Sequence, residues 1–197
     1  MFRMTAVHRQ QPRSAQQSWM QRAKQFLRHV TLAANSTAEK EQTLKVNKPA
    51  LWSTENPNLY YVQTEVLVDG KVKDTYKTTY GFRYINFDVN TGFSLNGKNV
   101  KLKGVCMHDQ GALGAASERD AVYRQVKKLK EMGCNAIRTS HNTPSSVLLE
   151  ACNELGMMAM DETFDGWAFP KNGNSQDFST HYNKTISEDN KLLGATA

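Results

Sequence analysis

Residues 133–144 have the sequence Gly-Cys-Asn-Ala-Ile-Arg-Thr-Ser-His-Asn-Thr-Pro. Gly133 is predicted to end one helix, residues 135–139 to form a short buried strand, and Thr143-Pro144 to open a second helix with proline at its first position. The polar residues from Arg138 to His141 then lie together where the strand ends. In a chain of alternating strands and helices, that edge is where chemistry gathers.

Strands and helices alternate on both sides of this segment. Residues 102–107 and 157–160 are predicted as two further buried strands. The helix between the first two strands is predicted to begin with a capping box at Ser117 and Asp120, and the second helix to end at Gly156. The order β-α-β-α-β, with short connections, predicts parallel crossovers.

Polar residues follow each of the three predicted strands. They are His108, then Arg138 and His141, then Asp161-Glu162 leading to Asp165 and Trp167. Because parallel strands end on one rim, these residues are expected side by side. Arginine can hydrogen-bond sugar hydroxyls or carboxylates, histidine can donate or accept near neutral pH, and tryptophan offers an apolar face to a sugar ring.

Other interpretations of these residues remain open. His108 is equally well explained as a structural histidine, and Arg138 as the partner of Asp161 or Glu162 in an ion pair. A zinc site made of His108, His141 and Asp161 has no recognised spacing. A nucleophilic Ser140-His141 pair is disfavoured because neighbouring residues of a strand point to opposite faces. The spacing alone therefore indicates the rim of an α/β enzyme and no more.

Residues 43–89 have a different pattern, which predicts strands without helices. A β-rich run at 59–68 leads into Asp69-Gly70, a type I′ hairpin signal, and a return strand at 71–79. A further strand is predicted at 82–87, and Asn96-Gly97 marks a second hairpin. This block matches the end of an antiparallel β-sandwich, which as a whole needs about 100 residues.

Residues 1–42 are predicted to be an atypical basic leader, disordered or partly helical. The chain has 25 basic and 19 acidic residues, and six of the basic ones fall in residues 1–38, which contain no acid. The remainder therefore carries 19 of each sign, so the basic charge belongs to the leader. This distribution excludes a basic stripe for nucleic acid on the folded body.

The three cysteines are predicted to be buried free thiols. Cys106, Cys134 and Cys152 each lie in an apolar stretch, and no close pair has metal-ligand spacing. With no secretory signal and no apolar run of about 18 residues, a cytoplasmic location is favoured and a membrane partner is not expected.

Several motifs resemble those of glycoside hydrolase family 2. They are, in chain order, residues 51–60 (LWSTENPNLY), 80–83 (YGFR), 92–98 (GFSLNGK), 102–108 (LKGVCMH), 135–141 (NAIRTSH) and 160–167 (MDETFDGW). The resemblance covers about residues 43–183, does not cover residues 1–42, and leans toward the β-galactosidase-like members.

This resemblance implies an immunoglobulin-like β-sandwich followed by a (β/α)8 TIM barrel. The expected division is residues 43–89 for the end of the sandwich and residues 90–197 for the first three β/α units of the barrel. The implied activity is retaining, exo-acting hydrolysis of terminal β-linked sugars, most readily a β-galactoside. By motif, His108, Arg138 and His141 would bind the terminal sugar, with Asp165 and Trp167 near it.

The sequence departs from the family pattern in its catalytic residues. The Asn-Glu pair after a fourth strand and the nucleophilic glutamate near a seventh are not found, and Asn153-Glu154 falls on the second predicted helix. We therefore assign no catalytic residue and expect a fragment that is inactive alone. The alternatives are a non-catalytic carbohydrate-binding protein or a relic. Magnesium, which some family members bind, has no readable ligand set here, and self-association through exposed sheet edges is expected.

Overall fold

The computed structural model describes residues 2–9, 25–28, 37, 41, 43, 45–108 and 114–162. The chain forms two compact units, Met1–Val100 and Lys101–Ala197. The first unit contains only strands among its described elements, and the second alternates strands and helices. The change from a β to an α/β pattern along the chain is therefore confirmed.

The larger sheet of the first unit has four antiparallel strands in the spatial order β2-β1-β3-β4. These strands are β1 (Phe2–Arg9), β2 (Gln25–Arg28), β3 (Leu59–Val68) and β4 (Lys71–Tyr80). The predicted turn between β3 and β4 is confirmed, since Asp69 and Gly70 have φ angles of 51° and 73°. Two consecutive positive φ angles define the type I′ turn that matches the twist of the strands.

Two of these strands lie in the segment that was predicted to be a disordered or partly helical leader. β1 pairs with β3 over its whole length, from Phe2 opposite Val66 to Arg9 opposite Leu59, and β2 pairs with β1. The expectation was wrong for these residues because it used local composition. A partner strand some 50 residues away supplies the hydrogen bonds, and no local pattern reports it. Residues 10–24 lie outside the described part.

A second, three-stranded sheet follows, formed by β5 (Ile85–Asp88), β6 (Gly92–Leu95) and β7 (Lys98–Asn99). Its second hairpin is closed by Asn96 and Gly97, as predicted. The Asn96 side-chain amide donates a hydrogen bond of 2.9 Å to the Trp52 carbonyl. A Cβ atom added to Gly81 would lie 3.0 Å from the Cβ of Trp52, whose side chain is 2% exposed. Three of the sequence motifs thus meet around Trp52.

The second unit has the predicted order β-α-β-α-β. Its elements are β8 (Gly104–Met107), α1 (Arg119–Glu131), β9 (Ala136–Thr139), α2 (Ser146–Leu155) and β10 (Met158–Met160). The strands form a parallel sheet in the order β10-β9-β8, so consecutive strands are neighbours. The prediction of parallel crossovers is confirmed.

The hydrophobic core of the second unit lies between the sheet and the two helices. Its buried residues are Val122, Val126, Ile137, Leu148, Ala151, Cys152 and Met157. Ile137, at the centre of β9, is 1% exposed and Val126 of α1 is fully buried. Because β9 contributes alternate residues to this core, its remaining side chains face the opposite side of the sheet.

Both helix starts differ from the prediction. The N-cap of α1 is Glu118, without a side-chain cap hydrogen bond, so Ser117 lies one residue too early for a capping box. The N-cap of α2 is Ser145, whose hydroxyl accepts a hydrogen bond from the Leu148 amide. Pro144 therefore precedes this cap and is not the first helical residue.

The cysteines are free thiols, as predicted, but they differ in burial. Cys152 is buried, Cys134 is half-buried and Cys106 is exposed. The prediction was wrong for Cys106 because side chains alternate along β8. Met107 packs against the core under the helices, whereas Cys106 faces the other side of the sheet.

β4 is an edge strand of its sheet, and all ten of its residues are exposed. Self-association through such an edge stays a prediction. Among the residues that the structure describes, no helix has the length and hydrophobicity that crossing a lipid bilayer requires.

Candidate functional site

Four polar side chains converge where the parallel strands of the second unit end. His108 directly follows β8, Arg138 belongs to β9, His141 lies two residues beyond β9, and Glu162 lies two residues beyond β10. The strand register places Met160 opposite Arg138. The geometry therefore brings together the three predicted residues His108, Arg138 and His141.

Glu162 connects two of these residues. Its Oε1 accepts a hydrogen bond of 2.5 Å from Arg138 Nε, and its Oε2 lies 3.2 Å from His141 Nδ1. His141 Nδ1 also lies 3.1 Å from Arg138 Nη2. The hydrogen bond from Arg138, together with the one from His141, lowers the pKa of the Glu162 carboxyl. Glu162 is therefore an ionised carboxylate and unsuited to act as a general acid near neutral pH.

The backbone at Glu162 is anchored to β9 by one hydroxyl group. The Glu162 amide donates a hydrogen bond of 3.0 Å to Thr139 Oγ1, and this hydroxyl donates to the Met160 carbonyl at 3.4 Å. Thr139 is almost fully buried. The side chain of Glu162 thus starts from a fixed position beside the end of β9.

Arg138 also contacts the thiol of Cys106, which is its register partner on β8. Arg138 Nη1 lies 3.5 Å from the Cys106 sulfur. The neighbouring hydroxyl of Ser140 and, next, the Arg138 guanidinium lower the pKa of the Cys106 thiol. The same contact and the Glu162 carboxylate raise the pKa of Arg138, which therefore stays charged.

His108 approaches His141 with its ring edge. The two ring centroids are 5.8 Å apart and the ring planes are inclined by 80°. The two imidazoles are thus adjacent, and among the described residues no hydrogen bond joins them.

Two of the predicted site residues, Asp165 and Trp167, lie outside the described residues, so their place in the site stays a prediction. Ser140, the other half of the disfavoured nucleophilic pair, is buried. The peptide bond between Ser140 and His141 is cis. Asn153-Glu154 lies on α2, as predicted, where Glu154 is 3.9 Å from Arg119.

No group of three or more His, Cys, Asp or Glu side chains within residues 45–108 and 114–162 is arranged to hold a metal ion. His108, His141 and Asp161 therefore do not form the zinc site that was considered for them.

From the sequence, Asp161 and Glu162 were alternative partners for an ion pair with Arg138. In the structure the partner is Glu162. Cys106 was not considered part of the site from the sequence. The available signal was alternation: Cys106 on β8 and His108 just after it are two residues apart, so both are expected on the side opposite Met107.

The site therefore consists of one carboxylate, one guanidinium and two imidazoles at the strand ends of a parallel β/α unit. Such a cluster suits a neutral ligand with many hydroxyl groups, because its own charges largely compensate each other. Polar side chains gathered at the strand ends of a parallel β/α unit are the arrangement by which α/β-barrel enzymes form their active sites.

Comparison with known families agrees with this class. Residues 12–83 match the model of glycosyl hydrolases family 2, and residues 88–196 match the TIM barrel domain of the same family. The chain therefore belongs to glycosyl hydrolase family 2, with an immunoglobulin-like domain followed by the start of a TIM barrel. The match begins at residue 12, so the expectation that residues 1–42 lie outside the family was wrong for most of them.

Individual relatives show the same relationship. The chain is 42% identical over 149 residues to β-galactosidase BoGH2A of Bacteroides ovatus, which covers 75% of this chain and 17% of the relative. It is 33% identical over 137 residues to a β-glucuronidase of Bacteroides fragilis, covering 68% of this chain and 20% of that protein.

Among solved structures, a family 2 member from Bacteroides cellulosilyticus is similar with a TM-score of 0.77 and 38% identity, over 95% of this chain and 23% of that protein. The chain thus spans about a fifth of the length of these relatives.

Proposed function

We propose that this chain contributes the terminal-sugar subsite of a retaining, exo-acting β-glycosidase, and that the sugar is a β-linked galactoside. The observation that carries the proposal is the cluster of His108, Arg138, His141 and Glu162 at one rim of a family 2 barrel segment. Retaining glycosidases stabilise their transition state partly through hydrogen bonds to sugar hydroxyls.

The charges of the site favour a neutral sugar over a uronic acid. Two of the three guanidinium nitrogens of Arg138 already have a contact, Nε with Glu162 and Nη1 with Cys106. A glucuronide carries a carboxylate, which needs a cation that is not already paired. Within the described strand ends of β8, β9 and β10, Arg138 is the one arginine or lysine, and Glu162 compensates its charge.

We further propose that this stretch binds sugar without hydrolysing it. Retention requires an acid/base carboxyl and a nucleophilic carboxylate about 5 Å apart. The one carboxylate in the described cluster, Glu162, is engaged by Arg138 and His141. Catalysis would then depend on glutamates from other parts of a longer protein.

The proposal is tested by titrating the 197-residue chain, isotopically labelled, with methyl β-galactoside and with methyl β-glucuronide. We expect saturable NMR shift changes near β9 with the galactoside at millimolar concentration, and weaker binding of the glucuronide. His141→Ala should weaken galactoside binding at least tenfold because it removes a hydroxyl partner. Glu150→Ala, on an exposed position of α2, is the matched control and should bind normally.

Absence of galactoside binding, or equal loss in both variants, would contradict the assigned subsite. Binding of the glucuronide in preference to the galactoside would overturn the choice of sugar. In parallel, the chain is incubated with a chromogenic β-galactoside, where no turnover is expected. Measurable hydrolysis that persists in the purified chain would contradict the proposal that this stretch is inactive alone.

A further inference from the structure

We propose that Glu162 is a positioning residue that holds the proton of His141 on Nδ1, so that a neutral His141 presents Nε2 as a hydrogen-bond acceptor. Glu162 acts through His141 and is not itself expected to touch a ligand. The identity of the ligand as a sugar rests on the proposed function, but the position of the proton can be measured without any ligand.

Two neighbouring side chains compete for one nitrogen atom of His141. His141 Nδ1 lies 3.1 Å from Arg138 Nη2 and 3.2 Å from Glu162 Oε2. A guanidinium can only donate and a carboxylate can only accept. Arg138 can therefore bond to Nδ1 only when Nδ1 lacks a proton, and Glu162 can bond to it only when Nδ1 carries one.

The cost of an unsatisfied group decides between these two states. The side chain of Glu162 is 23% exposed and that of Arg138 is 39% exposed, so the carboxylate is the more shielded of the two. An unpaired oxygen on a shielded carboxylate costs more than an N–H that reaches water. Arg138 also keeps its hydrogen bond of 2.5 Å to Glu162 Oε1 in either state. The state with the proton on Nδ1 is therefore favoured.

The fixed backbone of Glu162 makes this arrangement effective. The Thr139 hydroxyl ties the Glu162 amide and the Met160 carbonyl to the end of β9. Both partners of Glu162, Arg138 and His141, also come from β9 or its immediate extension. The carboxylate is thus held at a constant distance from the imidazole, as a group that selects a tautomer must be.

The position of this proton determines which group of a ligand His141 can bind. With Nδ1 protonated, Nε2 of a neutral ring carries a lone pair and accepts a hydrogen bond from a hydroxyl. The hydrogen-bond contacts of His141 with Arg138 and Glu162 both use Nδ1, and Nε2 lies on the far edge of the ring. A hydroxyl donor on the ligand is therefore the group that His141 recognises.

The test is the long-range proton–nitrogen NMR spectrum of the imidazole rings in the uniformly 15N-labelled 197-residue chain. The His141 ring is assigned by its absence in His141→Gln, and the pH is raised until its pattern stops changing. We expect the wild-type ring to carry its proton on Nδ1. In Glu162→Gln the carboxylate charge is lost, so Arg138 should donate to Nδ1 and the proton should move to Nε2.

Glu150→Gln makes the same chemical change on an exposed position of α2 and should leave the proton on Nδ1. A wild-type ring protonated on Nε2 would overturn the inference without any variant, even if Glu162→Gln does not fold. A folded Glu162→Gln chain that keeps the proton on Nδ1 would overturn it as well. Failure to bind a sugar would contradict the proposed function and leave this result unaffected.

Discussion

The two units of this chain differ in how they cover their sheets. In the second unit, α1 and α2 cover one face of the parallel sheet and enclose a core around Ile137 and Val126. In the first unit, β4 is exposed along its whole length, and so is β5. In a β-α-β unit, the helix that connects two parallel strands also covers the sheet and forms a core with it. An antiparallel hairpin has no such helix, so a face of its sheet can remain exposed.

The largest effect that separates the two units is expected from core truncation. Ile137→Ala removes a side chain that is 1% exposed, and it should lower the free energy of unfolding of the second unit by about 3 kcal/mol. Val72→Ala on β4 removes a side chain that is 49% exposed, and it should cost less than about 1 kcal/mol. Urea unfolding followed by fluorescence and by amide NMR measures both, and equal losses would remove the distinction between the units.

A second comparison sets the two faces of the parallel sheet against each other. On the face of the sheet opposite the helices, the Ser140 hydroxyl and Arg138 lower the pKa of Cys106. Among the helices, burial raises the pKa of Cys152 to about 12. Since the thiolate is the reactive form, iodoacetamide should alkylate Cys106 at least tenfold faster than Cys152. Mass spectrometry of the chain at successive times gives both rates.

Arg138→Gln should slow the alkylation of Cys106 without changing that of Cys152. Comparable alkylation rates at the two cysteines in the folded chain would show that Cys106 is no more reactive than Cys152.

The smallest effect is expected in the dependence of stability on pH. The pKa of Glu162 is lowered in the folded chain by Arg138 and then His141, so its contribution to stability is present above the unfolded pKa of about 4.3. It is lost as the pH falls through the lower folded value. The wild-type melting temperature should therefore fall more steeply than that of Glu162→Gln over this range.

This difference is measured by thermal scans from about pH 6 to pH 3, with Glu150→Gln as the control for general acid effects. Parallel curves for the wild type and Glu162→Gln would mean that the ion pair with Arg138 adds nothing to stability.

Much of the second unit could be predicted from the sequence because its signals are local. Helix periodicity, the stop at Gly156 and the apolar strand around Ile137 all concern residues within one turn or one strand of each other. The helix starts were placed less well: the N-cap of α1 is Glu118 instead of the predicted Ser117, and α2 starts after Ser145 instead of at Thr143-Pro144.

Features that depend on distant partners were harder to predict from the sequence. The pairing of Phe2–Arg9 with Leu59–Val68 links two segments whose own patterns say nothing about each other. The same holds for the site: His108, Arg138 and His141 could be proposed from strand ends, but the choice of Glu162 over Asp161 depends on the anchoring of its amide by Thr139. The competition of Arg138 and Glu162 for Nδ1 of His141 is visible only in the three-dimensional structure.

The pairing of β1 with β3 also has a consequence for the order in which the first unit folds. The hairpin of β3 and β4 closes across two residues and can form within microseconds. β1 precedes β3 in the chain and cannot pair with it until β3 has been made. Pairing the two strands closes a loop of about 50 residues, which costs more chain entropy than closing the hairpin. Until β3 is made, β1 can pair only with the short strand β2, so the sheet reaches its full width late in synthesis.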